Sequence, residues 1–496
     1  MFSKVLVANR GEIALRVFRT LREMGIASVA VYSEADRDAL FVRRADEAHL
    51  IGPPPASESY LVVERIVETA LRAGAEAIHP GYGFLAENAS FARACAEAGL
   101  VFIGPPPEAI EAMGSKVAAR RLMEEAGVPI VPGVTEPVPT VAEARKVAKR
   151  IGYPVAVKAS GGGGGKGFRV ALRPGDLTEA FEGARRESER FFADSEVYLE
   201  RYLPEPRHVE IQIIADDRGG CAYLGERDCS IQRRHQKLVE ETPSPVVSPD
   251  LRKRMGEASV RAAKAVGYRS AGTLEYLVEG EEFFFLEMNT RIQVEHTVTE
   301  AVTGLDLVRE QVRIAAGERL SVRQGDVRPR GHAFECRINA EDASKRFLPA
   351  PAPVTAYREP GGPGVRVDSG IEAGSAIPDI YDPMVAKLIV WDVDRETARR
   401  RMIRALDEYV VEGPTTLIPF HRWLFEQEEF IAGGACHALL AELAERPTPI
   451  PPPDGAAPAA DAPEAPEPEP SVERRMVAEV DGRRFDVRLF VPESQA

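Results

Sequence analysis

Cysteine is scarce and unpatterned in this sequence. Cys95, Cys221, Cys229, Cys336 and Cys436 form no C-x-x-C pair and no framework spacing in 496 residues. That excludes a disulfide scaffold and fits reduced thiols in a cytoplasmic protein. No apolar run reaches the ~20 residues that a membrane-spanning helix needs. The chain opens on the strand-like Lys4-Val5-Leu6-Val7-Ala8, where a secretion signal would show a charged segment and then an apolar core. Basic residues are outnumbered, 63 Lys and Arg against 77 Asp and Glu, for a net charge of −14. This argues against nucleic acid as a partner and leaves room only for a local basic pocket. The nucleotide-binding pattern G-x-x-x-x-G-K-S/T is missing, and there is no internal repeat.

Hydrophobic residues make up 44% and charged ones 28%, the balance of a soluble globular protein. A length of 496 residues exceeds one ordinary core, so three or four packed units are expected. Residues 1–112 alternate strand and helix patterns, with strands at Val5–Ala8, Ser28–Tyr32 and Ala77–His79 and helices at Glu12–Met24 and Tyr60–Arg72. This is the pattern of a doubly wound α/β domain. Residues 113–129 read as a helical connector carrying Lys116, 130–203 as a small α/β lid, 204–330 as a strand-rich core and 331–446 as a further domain. Residues 447–470 are Pro, Ala, Glu and Asp with almost nothing to bury, an extended linker. Residues 471–496 carry a hairpin pattern around Asp481-Gly482, too short for a core of its own.

The most informative stretch is Glu287-Met288-Asn289-Thr290-Arg291-Ile292-Gln293-Val294-Glu295. Glu287, Asn289, Arg291, Gln293 and Glu295 recur at a spacing of two, which in extended chain puts them on one face. They follow Phe283-Phe284-Phe285-Leu286, an apolar run expected to be a buried strand. Polar groups gathered beside a core strand are costly unless paired or bound to a metal. The preceding strand pattern, Gly272 to Val278, and the turn at 279–282 predict a hairpin that sets Glu275 beside Glu287. Facing carboxylates with an adjacent Asn289 suit Mg²⁺ or Mn²⁺ rather than zinc. Upstream, the strand ending in Lys158 leads to Gly161, Gly162, Gly163, Gly164 and Gly165, then Lys166 and Gly167. Glycines leave their N–H groups open to a phosphate, so this segment reads as a flap over a triphosphate.

These motifs, with Ala8–Ala14, His79–Leu85, Glu226–Ser230, Gln232–Lys237 and Glu335–Glu341, run in one order over residues 1 to about 446. In that order the chain resembles the biotin carboxylases, the ATP-grasp components of biotin-dependent carboxylases. The resemblance implies a pre-ATP-grasp domain, an ATP-grasp lid and core, and a biotin carboxylase C-terminal domain. It also implies ATP, bicarbonate and carrier-bound biotin as substrates, with Mg²⁺ or Mn²⁺ at two sites held by Glu275, Glu287 and Asn289. On the resemblance, Glu295 is the general base, Arg291, Gln293, Val294 and Lys237 grip bicarbonate, and Arg337 stabilises charge on the biotin ureido oxygen. Tyr82, Gly83 and Gln293 lie by biotin. Lys116, Lys158, the 161–167 loop, Glu200, Arg201, Tyr202, Leu203, His208, Gln232, His235 and Leu277 surround the nucleotide.

The implied partners are a biotin carboxyl carrier, a carboxyltransferase and a second copy of the chain, met through Arg16, Arg19, Glu23 and Arg366. Three departures stand out: Arg201 in place of a lysine, Thr297 in place of a proline, and Pro363 in place of an aromatic residue at the subunit contact. The biotin-attachment signature, a lysine between two methionines, is absent, so the carrier is expected elsewhere on a longer subunit or on a separate polypeptide. The acceptor expected is an acyl-CoA, with a pyruvate carboxylase as the alternative. A carbamoyl-phosphate synthetase is disfavoured by the Arg337 and Tyr82 motifs. A catalytically silent assembly subunit is disfavoured by the intact Glu275, Glu287, Arg291, Glu295 and Arg337.

Overall fold

The structure is a computed structural model that describes residues 1–134, 136–159, 168–192, 196–234, 236–445, 471–480 and 483–492. It divides into two units, Met1–Pro451 and Pro452–Ala496. In the smaller unit, Ser471–Val480 and Arg483–Pro492 pair as an antiparallel hairpin, as the sequence pattern predicts.

The N-terminal part is a parallel sheet in the order Glu47–Gly52, Ala27–Ser33, Lys4–Val7, Ala77–His79, Val101–Phe102. Its first strand shows why both faces must be covered. Val5 and Val7 pack with Ile13, Val17 and Leu21 of the helix Gly11–Glu23. Leu6 and Ala8 pack on the other side with Ile66 and Ala70 of the helix Val63–Arg72 and with Phe91. An apolar run buried on both faces is what a doubly wound parallel sheet demands. The second helix begins at Val63, later than the pattern from Tyr60 predicts, because Tyr60 is buried against Phe84 with ring centroids 4.9 Å apart.

A small lid follows. Phe168–Ala171, Val155–Ala159 and Val197–Arg201 form a three-stranded antiparallel sheet. The helices Val141–Ile151 and Leu177–Phe192 cover it through Ala144, Ala148, Leu177 and Phe181.

The main body is one eight-stranded antiparallel sheet. Its order is Glu282–Asn289, Ser270–Glu279, Arg207–Ala215, Cys221–Arg233, Gln236–Thr242, His332–Asn339, Met384–Asp392, Val365–Ser369. The sheet runs without a break past residue 331, through the pairing of Gln236–Thr242 with His332–Asn339. Strand alternation assigns its faces. Val209, Ile211, Ile213, Leu274 and Tyr276 pack on the helix Pro249–Ala265, and Cys336, Ile338, Leu388 and Val390 pack with Met402 of the helix Arg395–Glu408. The residues between them, His208, Glu210, Gln212, Glu275, Glu335, Arg337 and Lys387, therefore point to the opposite side. There the helix His296–Thr303 closes over them.

Candidate active site

Pairing of the two strands Ser270–Glu279 and Glu282–Asn289 sets Glu275 opposite Glu287, the register expected from the sequence. The strand is not a simple apolar run, however. A bulge lies between the Glu275–Glu287 and Tyr276–Phe285 pairs, so Leu286 is the extra residue, and it is 44% exposed rather than buried. Glu275 is buried and Glu287 exposed.

The five polar residues from Glu287 to Glu295 do not share one strand face. Extended chain ends at Asn289, and Arg291 to Glu295 follow an irregular turn into the helix His296–Thr303. The polar groups still converge, through hydrogen bonds rather than through strand alternation. Asn289 Nδ2 and Gln293 Nε2 each donate to Glu275 Oε1 at 2.8 Å.

The centre of the site is Lys237. Its ammonium donates to Glu210 Oε2 at 2.6 Å, Glu275 Oε1 at 2.9 Å and Glu295 Oε1 at 2.6 Å. Burial disfavours a charged lysine, but Glu210, Glu295 and Glu275 outweigh it and hold the ammonium well above its ordinary pKa. Burial likewise pushes Glu295 up, and Lys237, Arg337 and Arg227 more than reverse this, leaving its carboxyl well below the usual range. Burial opposes the lowering of Glu275 too, and Lys237 and His208 again prevail. His208 Nε2 lies 2.8 Å from Glu275 Oε2, and Gln232 Nε2 lies 2.7 Å from His208 Nδ1.

Arg337 closes the far side. Its Nε donates to Glu240 Oε1 at 2.7 Å and its NH2 to Glu295 Oε2 at 2.9 Å. Burial pushes Glu240 up to about 8, against the pull of Arg337 and with Glu335 and Glu295 adding to it. Burial also holds the Cys229 thiol well above its ordinary pKa, so it stays protonated.

Beneath this layer Arg227 has no exposed side-chain surface. Its guanidinium donates to Glu210, Gln212, Thr299, Thr273 and Gln293, at 2.5 to 3.1 Å. It ties three strands to the helix His296–Thr303 and to the turn that precedes that helix. No spacing argument singles it out, although the run Glu226-Arg227-Asp228, charged in mid-strand, is a signal that could have found it.

The turn carrying Tyr82 and Gly83 comes from the parallel domain. Asn9 Nδ2 donates to Pro80 O at 2.8 Å and to Tyr82 O at 2.7 Å. Gly81 has φ +64°, and a Cβ there would meet Asn9 Nδ2 at 2.8 Å, so only glycine fits. Arg291 reaches back to this domain, donating from Nε to Glu87 Oε2 at 2.9 Å and from NH2 to Asn289 Oδ1 at 2.9 Å. Glu87 is a second site residue that the sequence does not single out.

On the lid side, Leu203 and Leu277 meet, with Val131 and Phe284 completing an apolar wall. Lys158 pairs with Glu200 across the lid sheet. Arg201 donates to Glu279 at 2.8 Å and Glu282 at 3.0 Å and lies over the Phe284 ring, while Tyr202 lies beside Phe168. Gly161, Gly162, Gly163, Gly164, Gly165, Lys166, Gly167 and His235 lie outside the described residues, as does the side chain of Lys116.

Of the residues expected at a subunit contact, Arg19, Glu23 and Arg366 line a cleft of about 580 Å³. Arg16 lines it too, but is buried and engaged by Glu300 at 2.7 Å and Asp306 at 2.8 Å.

A small lid sheet joined to a charged antiparallel sheet, with hard oxygen donors and buried cations, defines an ATP-grasp ligase. Comparison with known proteins agrees. Residues 1–110 match the family described as biotin carboxylase, N-terminal domain, and 335–442 its C-terminal domain. Residues 115–323 match the carbamoyl-phosphate synthase L chain, ATP binding domain. A pyruvate carboxylase subunit of Methanothermobacter thermautotrophicus is 55% identical over 433 residues, 87% of this chain and 88% of its own. The propionyl-CoA carboxylase alpha chain of Ruegeria pomeroyi is 48% identical over 89% of this chain and 68% of its own. The solved biotin carboxylase domain dimer of Hydrogenobacter thermophilus 2-oxoglutarate carboxylase, with MgADP, ADP and bicarbonate, superposes with a TM-score of 0.80. It is 48% identical and covers 90% of this chain and 99% of that one. The chain belongs to the biotin carboxylase family.

Proposed function

We propose that this chain carboxylates carrier-bound biotin, using ATP and bicarbonate by way of carboxyphosphate. The observation that carries the reading is the Lys237 cluster: one ammonium among three buried carboxylates, with Arg337 on the far oxygen of Glu295. Bicarbonate needs activation because hydroxide is a poor leaving group, and transfer of the γ-phosphoryl group supplies it. Lys237, Arg291, Gln293 and the backbone of Val294 would hold the anion in line. A carboxylate held as low as Glu295 is a weak base while its cations are unshared. Bicarbonate entering beside Lys237 takes part of its charge, which raises Glu295 toward the range a base needs.

Glu275, Glu287 and Asn289 offer the oxygen donors that Mg²⁺ or Mn²⁺ prefers, and their pairing across one hairpin fits such an ion. When bound, the ion would neutralise phosphate oxygens. Lys116, Lys158 and the 161–167 loop would hold the triphosphate, His208, Gln232 and His235 would lie near the nucleotide, and Glu200 to Leu203 with Leu277 would meet the base. In the second half-reaction Arg337 would balance charge developing on the biotin ureido oxygen, with Tyr82, Gly83 and Gln293 beside the ring.

The carboxyl acceptor is proposed to be an acyl-CoA, served by a carrier and a carboxyltransferase, in line with the propionyl-CoA carboxylase relative. Pyruvate is the second reading, favoured by the 55% identity to a pyruvate carboxylase subunit. Phosphate release from ATP tests the first claim: it should require bicarbonate and rise with free biotin. Indifference to both would refute it. Carboxyl transfer from the full assembly to propionyl-CoA or to pyruvate separates the two acceptors.

A further inference from the structure

Lys387 has no exposed surface and lies on the strand Met384–Asp392, directly across from Arg337. Nothing in the chemistry above uses it. Its ammonium donates to the carbonyl of Val294 at 2.8 Å. It also lies 3.6 Å from Glu12 Oε2. The other oxygen of Glu12 accepts the hydroxyl of Tyr82. Burial pushes Glu12 up to about 7, opposed chiefly by Lys387.

A buried lysine is costly unless it is paired, and this one is held between a carboxylate and a main-chain carbonyl. The two ends of the chain of contacts matter. Val294 sits between Gln293 and Glu295 in the turn read as the bicarbonate grip. Tyr82 sits in the turn read as the biotin contact. One turn comes from the large sheet and the other from the N-terminal parallel domain, far apart in sequence.

We propose that Lys387 and Glu12 are positioning residues that hold the bicarbonate turn and the biotin turn in register with one another. The inference rests on the functional reading above. Lys387 fixes the Val294 carbonyl, and with it the plane of the Val294–Glu295 peptide, beside the backbone read as the bicarbonate contact. Glu12 ties the same ammonium to Tyr82. Neither touches the nucleotide side of the site, where Lys158, Leu203 and Leu277 lie.

That separation supplies the test. Bicarbonate and ATP saturation of phosphate release are measured on the full chain for wild type, Lys387→Met, Lys387→Arg and Glu12→Gln. Loss of one charge-assisted hydrogen bond predicts a KM for bicarbonate raised on the order of tenfold in Lys387→Met. KM for ATP should stay within about twofold, and Lys387→Arg should recover part of the loss. Glu12→Gln should shift the bicarbonate and biotin constants the same way but less. Adding it to Lys387→Met should cost less than the sum, because both act through one link.

Unchanged bicarbonate constants, bicarbonate and ATP constants rising together, or full additivity would each overturn the proposal. If Lys387→Met fails to fold, Glu12→Gln alone decides by the same split between bicarbonate and ATP. A wild type whose phosphate release ignores bicarbonate sinks the functional reading and this inference with it. A bicarbonate-dependent wild type with indifferent variants sinks only the inference.

Discussion

Replacing Lys237 by methionine tests the site where its electrostatics are most concentrated. The side chain keeps its length and loses its charge. Three buried carboxylates, Glu210, Glu275 and Glu295, then lose one shared cation held at 2.6 to 2.9 Å. Each charge-assisted hydrogen bond is worth about 1.5–3 kcal/mol. Without that cation the carboxyl groups of Glu275 and Glu295 should each rise toward the ordinary carboxylate range. In the native protein both are depressed, so they contribute stability above the ordinary carboxylate pKa and lose it as pH falls through their folded values. In the variant that contribution shrinks, and the uncompensated charge costs about 3–5 kcal/mol where the carboxylates are ionised. Protonation relieves it. The gap in melting temperature between wild type and variant should therefore be widest at about pH 7 and narrow only as pH falls through the ordinary carboxylate range, toward about pH 4. Thermal unfolding followed by circular dichroism across that range, without added metal, gives the answer. A gap independent of pH would mean that Lys237 does not serve as the shared counter-ion, and the account of the site would fall.

Glu295→Gln should lose bicarbonate-dependent ATP cleavage and biotin carboxylation together, whereas Arg337→Ala should retain much of the cleavage but uncouple it from carboxybiotin. Phosphate and carboxybiotin measured side by side decide, and equal losses in both variants would refute the division. Glu275→Gln should weaken Mn²⁺ binding about tenfold or more, read by titration of the paramagnetic ion in the presence of nucleotide, since it removes one of two proposed carboxylate ligands. A titration curve that matches wild type would remove Glu275 from the metal set. A chain ending at Pro451 should keep its melting temperature and its bicarbonate-dependent ATP cleavage, because the composition of the tail offers too little apolar surface to form or complete a core. A folded but inactive truncation would give residues 452–496 a role in the half-reaction.

Much of this protein is legible in its sequence because its motifs are local. The apolar run at Val5–Val7 and the Glu275–Glu287 hairpin register each depend on residues close in sequence, and alternation or turn chemistry predicts them. The alternation of His208, Glu210 and Gln212 marks one face as polar. The spacing of Glu287, Asn289, Arg291, Gln293 and Glu295 predicts one shared strand face, and that geometry does not hold beyond Asn289. A bulge at Leu286 and a turn after Asn289 break the strand, and hydrogen bonds to Glu275 do the gathering.

What only the tertiary structure decided is how buried charges are balanced. Arg227 contacts groups up to 72 residues away, Glu87 meets Arg291 across 204 residues, and Lys387 meets Val294 across 93. No spacing rule connects such residues. Each charge is tolerated because a partner arrives from another part of the fold, and the cost of leaving it alone in a low-dielectric interior is what makes those distant contacts necessary.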